Sequence, residues 1–308
     1  MGGDSQEAAW GSEEEEECVE LEHSHAVRRA RAGRRERAVA GTKGQDRDVE
    51  EREVDPEGGG ELLDAAETSL YRATAARANY LALDRPELAF AAKELCRRMS
   101  APRRADLLAL RRLCRFLLGL PRLVYEFAWQ PSGQPLSVHC DTDFAGRTVT
   151  RRSTSGGCAT HGGHLIKHWS VTQKTVTLSS GEAELGGVVK GASEGLGLRS
   201  LARDLGLDLS IELHTDSSAA LGICRRTGIG RVRHLAVGQL WVQERLRAGE
   251  FRLYKVVGTE NPADLLTKHL AAASVEACLR RLSVGPESGR AASAPAVATD
   301  VQRWLLPP

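Results

Sequence analysis

The 308-residue chain lacks the cysteine pattern of a small secreted scaffold. Its seven cysteines (Cys18, Cys96, Cys114, Cys140, Cys158, Cys224 and Cys278) are odd in number, widely spread and never spaced as C-x-x-C. Neither a disulfide framework nor a zinc ribbon is expected from them, and an intracellular compartment, cytoplasmic or nuclear, suits such thiols. No apolar run follows Met1, and no stretch of about 20 apolar residues occurs, so neither a secretory signal nor a membrane span is expected. The glycine-rich stretch "GGVVKGASEGLG" (Gly186–Gly197) lacks the G-x-x-x-x-G-K-[ST] spacing of a phosphate loop. It falls inside an apolar helical stripe and reads as a helix that packs closely on its neighbour.

Charge is present in quantity but unevenly placed. Residues 1–60 carry a net charge of −8 and residues 61–308 carry +9, within a total of +1. A mildly basic body permits an anionic polymer as partner without requiring one. Residues 1–60, with the acidic run Glu13 to Glu17, the basic run Arg28 to Arg37 and Gly58 to Gly60 at its close, read as a disordered charged segment.

Regular periodicity starts after residue 60. Residues 61–130 carry helical patterns. In "DRPELAFAAKELCRRM", Pro86 opens a helix whose apolar stripe is Leu88, Ala91, Ala92, Leu95 and Met99. In "RRADLLALRRLCRFLLGL", Leu107, Leu110, Leu113, Leu117 and Leu120 lie inside and arginines outside. From residue 131 the period becomes two: Leu136, Val138 and Cys140 alternate with Ser137, His139 and Asp141, a strand that ends in an acid. Strands at 156–161 and 165–170 follow, then a long helix from about Ser180 to Leu205. A second strand, Leu209 to Thr215, also ends in an acid, Asp216. Two helices, a strand (Phe251 to Val257) and a helix from Pro262 to Leu270 complete the order β-β-β-α-β-α-α-β-α. Residues 271–308 hold one helical segment and otherwise read as mostly disordered tail.

Asp141 and Asp216 share a phase, each two residues beyond a histidine (His139, His214). A helical crossover between the two strands makes them parallel and brings both acids to the carboxyl ends, where open α/β sheets place their sites. Two carboxylates about 4 Å apart repel by roughly 4 kcal/mol at an effective dielectric near 20, so the pair calls for a proton or a cation. Mg²⁺ and similar hard ions take carboxylate oxygens. The long helix begins "TLSSGEAEL" (Thr177 to Leu185), where Ser179 and Glu182 have the spacing of a capping box. That assigns Glu182 a structural task and leaves Glu184 as a candidate ligand, although helical phase alone does not separate the two. Asp264, in "NPADLLTKHL", sits in the first turn after Asn261 and Pro262, where favourable interaction with the helix dipole also explains an acid. His161, His164 and His168 straddle a hairpin turn and are expected on different faces, so no metal site is read from them.

The words "CDTDFAG", "RRSTSGG", "TLSSGEAEL", "LHTDSSAALGI", "GEFRLYKV" and "NPADLLTKHL", in that order, resemble the ribonuclease H domain at the C-terminal end of copia-type retrotransposon Pol polyproteins. The preceding stretch, "YLALDRPELAFAAKELCRRMSAPRRADLLALRRLCRFLLG", resembles the connection that links reverse transcriptase to that domain. The resemblance implies an α/β, ribonuclease H-like fold over residues 131–270. Its mixed five-stranded sheet carries helices on both faces, and the helical connection occupies 61–130. It implies Asp141, Glu184, Asp216 and Asp264 as catalytic metal ligands for two Mg²⁺ ions, with Mn²⁺ as a substitute. The implied reaction is endonucleolytic hydrolysis of the RNA strand of an RNA/DNA hybrid. Arg152, Ser153, Thr154, Ser155, Arg233 and His234 are the candidate substrate contacts, while Asp143 reads as a local structural acid. The run after His234 departs from the family, with Ala236, Gly238 and Leu240 where an acid, a base and a second histidine are usual. No adjacent aspartate pair of a polymerase palm occurs, so a reverse transcriptase would have to be supplied separately. The rival reading is an inert transposon remnant that binds nucleic acid or protein. A transposase or integrase of the same superfamily would close its acid set with a glutamate instead of Asp264.

Overall fold

A computed structural model describes residues 60–146, 150–230 and 237–289. The charged segment before residue 60, Arg233 and His234, and residues 290–308 lie outside that set.

Three helices come first: α1 (Ala65–Leu81), α2 (Pro86–Cys96) and α3 (Arg104–Gly119). Asp64 starts α1 by accepting the Glu67 backbone N–H at 2.8 Å, which satisfies one of the donors a helix start leaves open. Leu88, Leu95, Leu107, Leu110 and Leu113, all in the expected stripes, pack with Tyr71 into one apolar cluster. Tyr71 donates its hydroxyl to the Leu95 carbonyl at 2.8 Å, so the one polar atom of that large side chain is satisfied inside the cluster. Leu117 reaches the cluster only at its edge.

The chain then forms β1 (Arg122–Tyr125), β2 (Leu136–Asp143), β3 (Thr154–His161), β4 (His164–Thr172), α4 (Ser180–Asp204), β5 (Ile211–Thr215), α5 (Ser218–Arg225), α6 (Trp241–Arg247) and β6 (Arg252–Lys255). A 3₁₀ turn at Pro262–Leu266 stands where a helix to Leu270 was expected. Five strands make the mixed sheet, in the order β4-β3-β2-β5-β6. β2, β3 and β4 run antiparallel in sequence, and β2, β5 and β6 run parallel. This is the ribonuclease H-like arrangement, with the helical segment preceding it. The parallel pairing sets His139 opposite His214 and ends at Cys140 opposite Thr215. Asp141 and Asp216 therefore both follow the last paired residues, as their common phase required.

Each face of the sheet is covered. On one, Leu136, Val138, Cys140, Ile211 and Leu213 pack against Leu185, Val188 and Ala192 of α4. On the other, Cys158 and Leu165 meet Leu265 and Leu266 of the 3₁₀ turn and Cys278, Leu279, Leu282 and Val284 beyond it. The last four residues lie in the stretch read as one helical segment and otherwise mostly tail. Ala272–Arg281 is that helix, α7, and the strand β7 (Val284–Glu287), which pairs antiparallel with β1, corrects the expectation of tail after it. Their apolar side chains are few, and only the partner surfaces supplied by β1 and the 3₁₀ turn make burial available. A smaller correction concerns His161 and His164, which are cross-strand partners beside the Gly162–Gly163 turn and so share a face. His168 instead bonds the Ala82 carbonyl at 2.8 Å. Among the described residues no helix is long and apolar enough to cross a membrane.

The glycines of α4 explain its closeness to the sheet. A Cβ at Gly191 would lie 2.1 Å from Cys140 Sγ, one at Gly187 2.5 Å from Thr142 Oγ1, and one at Gly195 3.1 Å from Val138 Cγ2. Residues four apart share a helix face, so this row of missing side chains lets α4 lie against β2. Gly197, on the exposed side, has nothing within 4 Å of such a Cβ. Alanine in place of helical glycine gains about 1 kcal/mol in propensity, whereas overpacking a tight core costs about 1–3 kcal/mol. Gly197→Ala is therefore expected to raise the midpoint of thermal unfolding, and Gly191→Ala to lower it despite the same gain in propensity.

Candidate metal centre

The start of α4 separates the two glutamates that helical phase left together. Ser179 accepts the Glu182 backbone N–H at 3.3 Å and donates its hydroxyl to Glu182 Oε1 at 3.1 Å. Glu182 Oε2 accepts the Leu178 backbone N–H at 3.0 Å, one residue further back than the usual reciprocal bond to the cap itself. Glu182 is buried in this role, and Glu184 is turned elsewhere.

Glu184 meets Asp141 and Asp216. One carboxylate oxygen from each of the three lies within 4.8 Å of the others, a spacing a single cation could bridge. Three elements converge to make this possible: the end of β2, the second turn of α4 and the residue after β5. Asp264 approaches from the 3₁₀ turn on the other side. Asn261 anchors that turn, donating its amide to the Cys140 carbonyl at 2.9 Å while its side-chain oxygen accepts the Ala263 N–H at 3.2 Å. The anchor is next to Asp141 in β2, which fixes the approach of Asp264 to the strand end.

Two further residues complete the centre and were not singled out in the sequence. The buried Thr267 donates its hydroxyl to Asp141 Oδ2. Lys268 places Nζ 2.9 Å from Asp264 Oδ1 and 3.7 Å from Asp141 Oδ2. Both lie in the word "LLTKHL", and a lysine four residues after an acid was the available signal.

Crowding of like charge shows in the proton affinities. Burial, then the charges of Asp141 and Asp216, push the Glu184 carboxyl from 4.5 up to about 8. Asp216 is raised by burial and by Asp141. Asp264 is pushed up to about 6, chiefly by burial and Asp141, against the opposing pull of Lys268. All donors are oxygens, and the cluster binds protons more readily than free carboxylates do. That chemistry fits a hard divalent cation.

The other sequence candidates are distributed differently. Ser153, Thr154 and Ser155 are buried and bonded within the protein. Ser153 accepts the Ala145 N–H at 3.1 Å, Thr154 accepts Lys93 Nζ at 2.8 Å, and Ser155 accepts the Gln173 amide at 2.8 Å. Their hydroxyls hold the loop, strand and helix together, so this structure does not offer them to a substrate. Arg152 alone of that run is exposed. Asp143 lies at the end of β2, its carboxyl raised by burial and by Asp141. It borders a cleft of about 730 Å³ between the helical segment and the sheet, lined also by Phe90, Arg97, Arg112, Phe116 and Lys268. His139 and His214 stack at 4.5 Å between ring centroids, with Tyr254 5.5 Å beyond. Burial, and for His139 the neighbouring His214, lowers the pKa of both rings, His139 to about 3, so they stack as neutral groups.

The raised carboxyls have a signed consequence for the metal-free protein. A group that is more basic in the folded state stabilises the fold below its unfolded pKa and loses that contribution as pH rises through its folded pKa. For Glu184 the window is 4.5 to about 8. Thermal unfolding in chelator is expected at progressively lower temperature across that window, and Glu184→Gln is expected to flatten the dependence. Added divalent cation should flatten it as well.

No protein-family model matches the chain. Among curated proteins it is 32% identical over 219 residues to the retrovirus-related Pol polyprotein from transposon RE2 of Arabidopsis thaliana, covering 70% of this chain and 15% of that one. It is 29% identical over 196 residues to the Pol polyprotein from transposon TNT 1-94 of Nicotiana tabacum, covering 63% and 15%. Among solved structures, the N-terminal RNase H domain of a Mycobacterium tuberculosis protein, in a fusion with maltose binding protein, is 19% identical, with a TM-score of 0.31 over 48% of this chain and 98% of that one. The strand order, and not so weak a superposition, establishes the fold. The chain is thus similar to retrovirus-related Pol polyproteins from transposons, over about 70% of its own length and about 15% of theirs.

Proposed function

We propose that this chain hydrolyses the RNA strand of RNA/DNA hybrids, with Asp141, Glu184, Asp216 and Asp264 as the ligands of two divalent cations, Mg²⁺ or Mn²⁺. The observation that carries the reading is the meeting of Asp141, Glu184 and Asp216 within 4.8 Å at the carboxyl ends of β2 and β5. Lys268 and Thr267 offset part of the repulsion on the Asp141 and Asp264 side, and a bound cation would remove what remains among the four acids. Two bound cations supply an activated water and stabilise the leaving 3′ oxygen.

The remaining work falls to the protein. Thr267 holds Asp141 in orientation, Asn261 holds the turn that carries Asp264, and the capping bonds of Ser179 and Glu182 hold the start of α4, one turn before the point where Glu184 projects. No covalent intermediate on the protein is required, and none of the described cysteines belongs to the cluster. Selection of a hybrid rests on backbone shape and 2′-hydroxyls rather than base edges. Arg152 is an exposed cation available to a phosphate, and the cleft between α2, α3 and the sheet gives a strand a path past Asp143 and Lys268. A reverse transcriptase acting separately is the source of hybrid that this reading implies.

The test is cleavage of a labelled RNA/DNA hybrid by the full chain in Mg²⁺ and in Mn²⁺, beside Asp216→Asn. Metal-dependent cutting of the RNA strand is expected, reduced by at least about 100-fold in the variant, since loss even of groups that merely support ligands costs 10–100-fold. A folded protein that cuts in neither metal is instead an inert module. Hybrid binding, measured in Ca²⁺ to avoid turnover, is expected to weaken by about tenfold or more between 50 and 200 mM salt, because phosphate contacts release counterions. A flat salt profile contradicts binding through the backbone.

A further inference from the structure

Lys268 is joined to the acidic cluster on the side of Asp141 and Asp264. Its ammonium contacts Asp264 Oδ1 at 2.9 Å and lies 3.7 Å from Asp141 Oδ2, the same oxygen that accepts the Thr267 hydroxyl. The side chain is 45% exposed, so water reaches it and it is free to move outward. Glu184 and Asp216 meet Asp141 on a side where no ion pair with a lysine or arginine occurs among the described residues. The cluster is thus divided. One side feels Lys268 and Lys255 only from beyond ion-pair distance, and the other already holds a cation in contact, on a flexible four-carbon stem.

A lysine so placed can act in two opposite ways. If it supports the metal-loaded centre, its removal weakens metal binding. If it occupies the position that a metal takes, its removal strengthens binding. The geometry favours the second. The ammonium contacts the two carboxylates that a metal on this side would have to bridge, and hard cations compete for the same oxygens. A lysine ammonium is cationic at neutral pH, and here it lies within ion-pair distance of both carboxylates. Resting on the metal-centre reading, we propose that Lys268 is a tethered counter-ion that holds Asp141 and Asp264 together in the metal-free protein and must be displaced when a divalent cation binds on that side.

Loading of the two sides then differs: the Glu184 and Asp216 side accepts a cation directly, and the Asp264 side accepts one only in exchange for the lysine. Calorimetric titration of the full chain with Mg²⁺ and with Ca²⁺, together with thermal unfolding in chelator, tests this on the wild type, Lys268→Gln and Lys268→Arg. Lys268→Gln is expected to unfold at lower temperature without metal and to bind the weaker of two cations about fivefold more tightly, the factor that corresponds to one solvent-exposed ion pair. Lys268→Arg keeps the charge and is expected to stay close to the wild type. Equal metal affinity in all three proteins, or weaker binding by Lys268→Gln, overturns the proposal. Hybrid cleavage measured on the same preparations separates the two readings. Tighter binding without cutting removes the ribonuclease assignment and leaves the counter-ion role. Cutting with unchanged affinity removes the counter-ion role alone.

Discussion

Repulsion among carboxylates is the constraint around which this structure is arranged. Asp141, Glu184 and Asp216 are brought within 4.8 Å, and Asp264 closes on the same strand end. Two such charges at about 4 Å oppose each other by roughly 4 kcal/mol at an effective dielectric near 20, a large share of the net stability of an ordinary domain. The fold tolerates this because each acid is held by an element with its own reason to form. The partial solutions are visible in the molecule: protons held more tightly on Glu184, Asp216 and Asp264, a threonine hydroxyl on Asp141, and a lysine across Asp141 and Asp264.

The packing that enforces the cluster lies one layer behind it. Gly187, Gly191 and Gly195 let α4 rest on β2 more closely than any side chain would permit, and that distance sets how far Glu184 stands from Asp141. On the opposite face, Asn261 bonds the backbone of β2 at Cys140, and Leu265 and Leu266 bury the turn that carries Asp264. The helical segment joins the same frame through Lys93, which bonds Thr154 at the start of β3. An acidic centre that would separate if its supports were loose is thereby mounted on the carboxyl ends of two interior strands, a close-packed helix and a buried turn.

Much of this was legible along the chain. The shared phase of Asp141 and Asp216 announced strands ending in acids, because side chains in a strand alternate and the two histidines mark the same position in each, and the helix between them made the strands parallel. The spacing of Ser179 and Glu182 announced the cap. The serines and threonine of "RRSTSGG" were misleading, because a polar side chain looks the same in sequence whether it faces solvent or bonds a neighbouring loop. Ser153, Thr154 and Ser155 do the latter. The strand β7 was hidden for a related reason. Four residues with a proline among them carry no periodic signal, and only pairing with β1, more than 150 residues earlier, makes them a strand.

By itself, then, the sequence determined the kinds of elements, their order and the residues able to hold a cation, because local periodicity and side-chain chemistry are properties of neighbours along the chain. The tertiary structure alone decided which acids meet. It placed Glu184 with Asp141 and Asp216, and brought Thr267 and Lys268 to Asp141 from 126 and 127 residues away. Interactions that distant follow from how a sheet, a helix and a turn close on one another, and no local pattern specifies that closure.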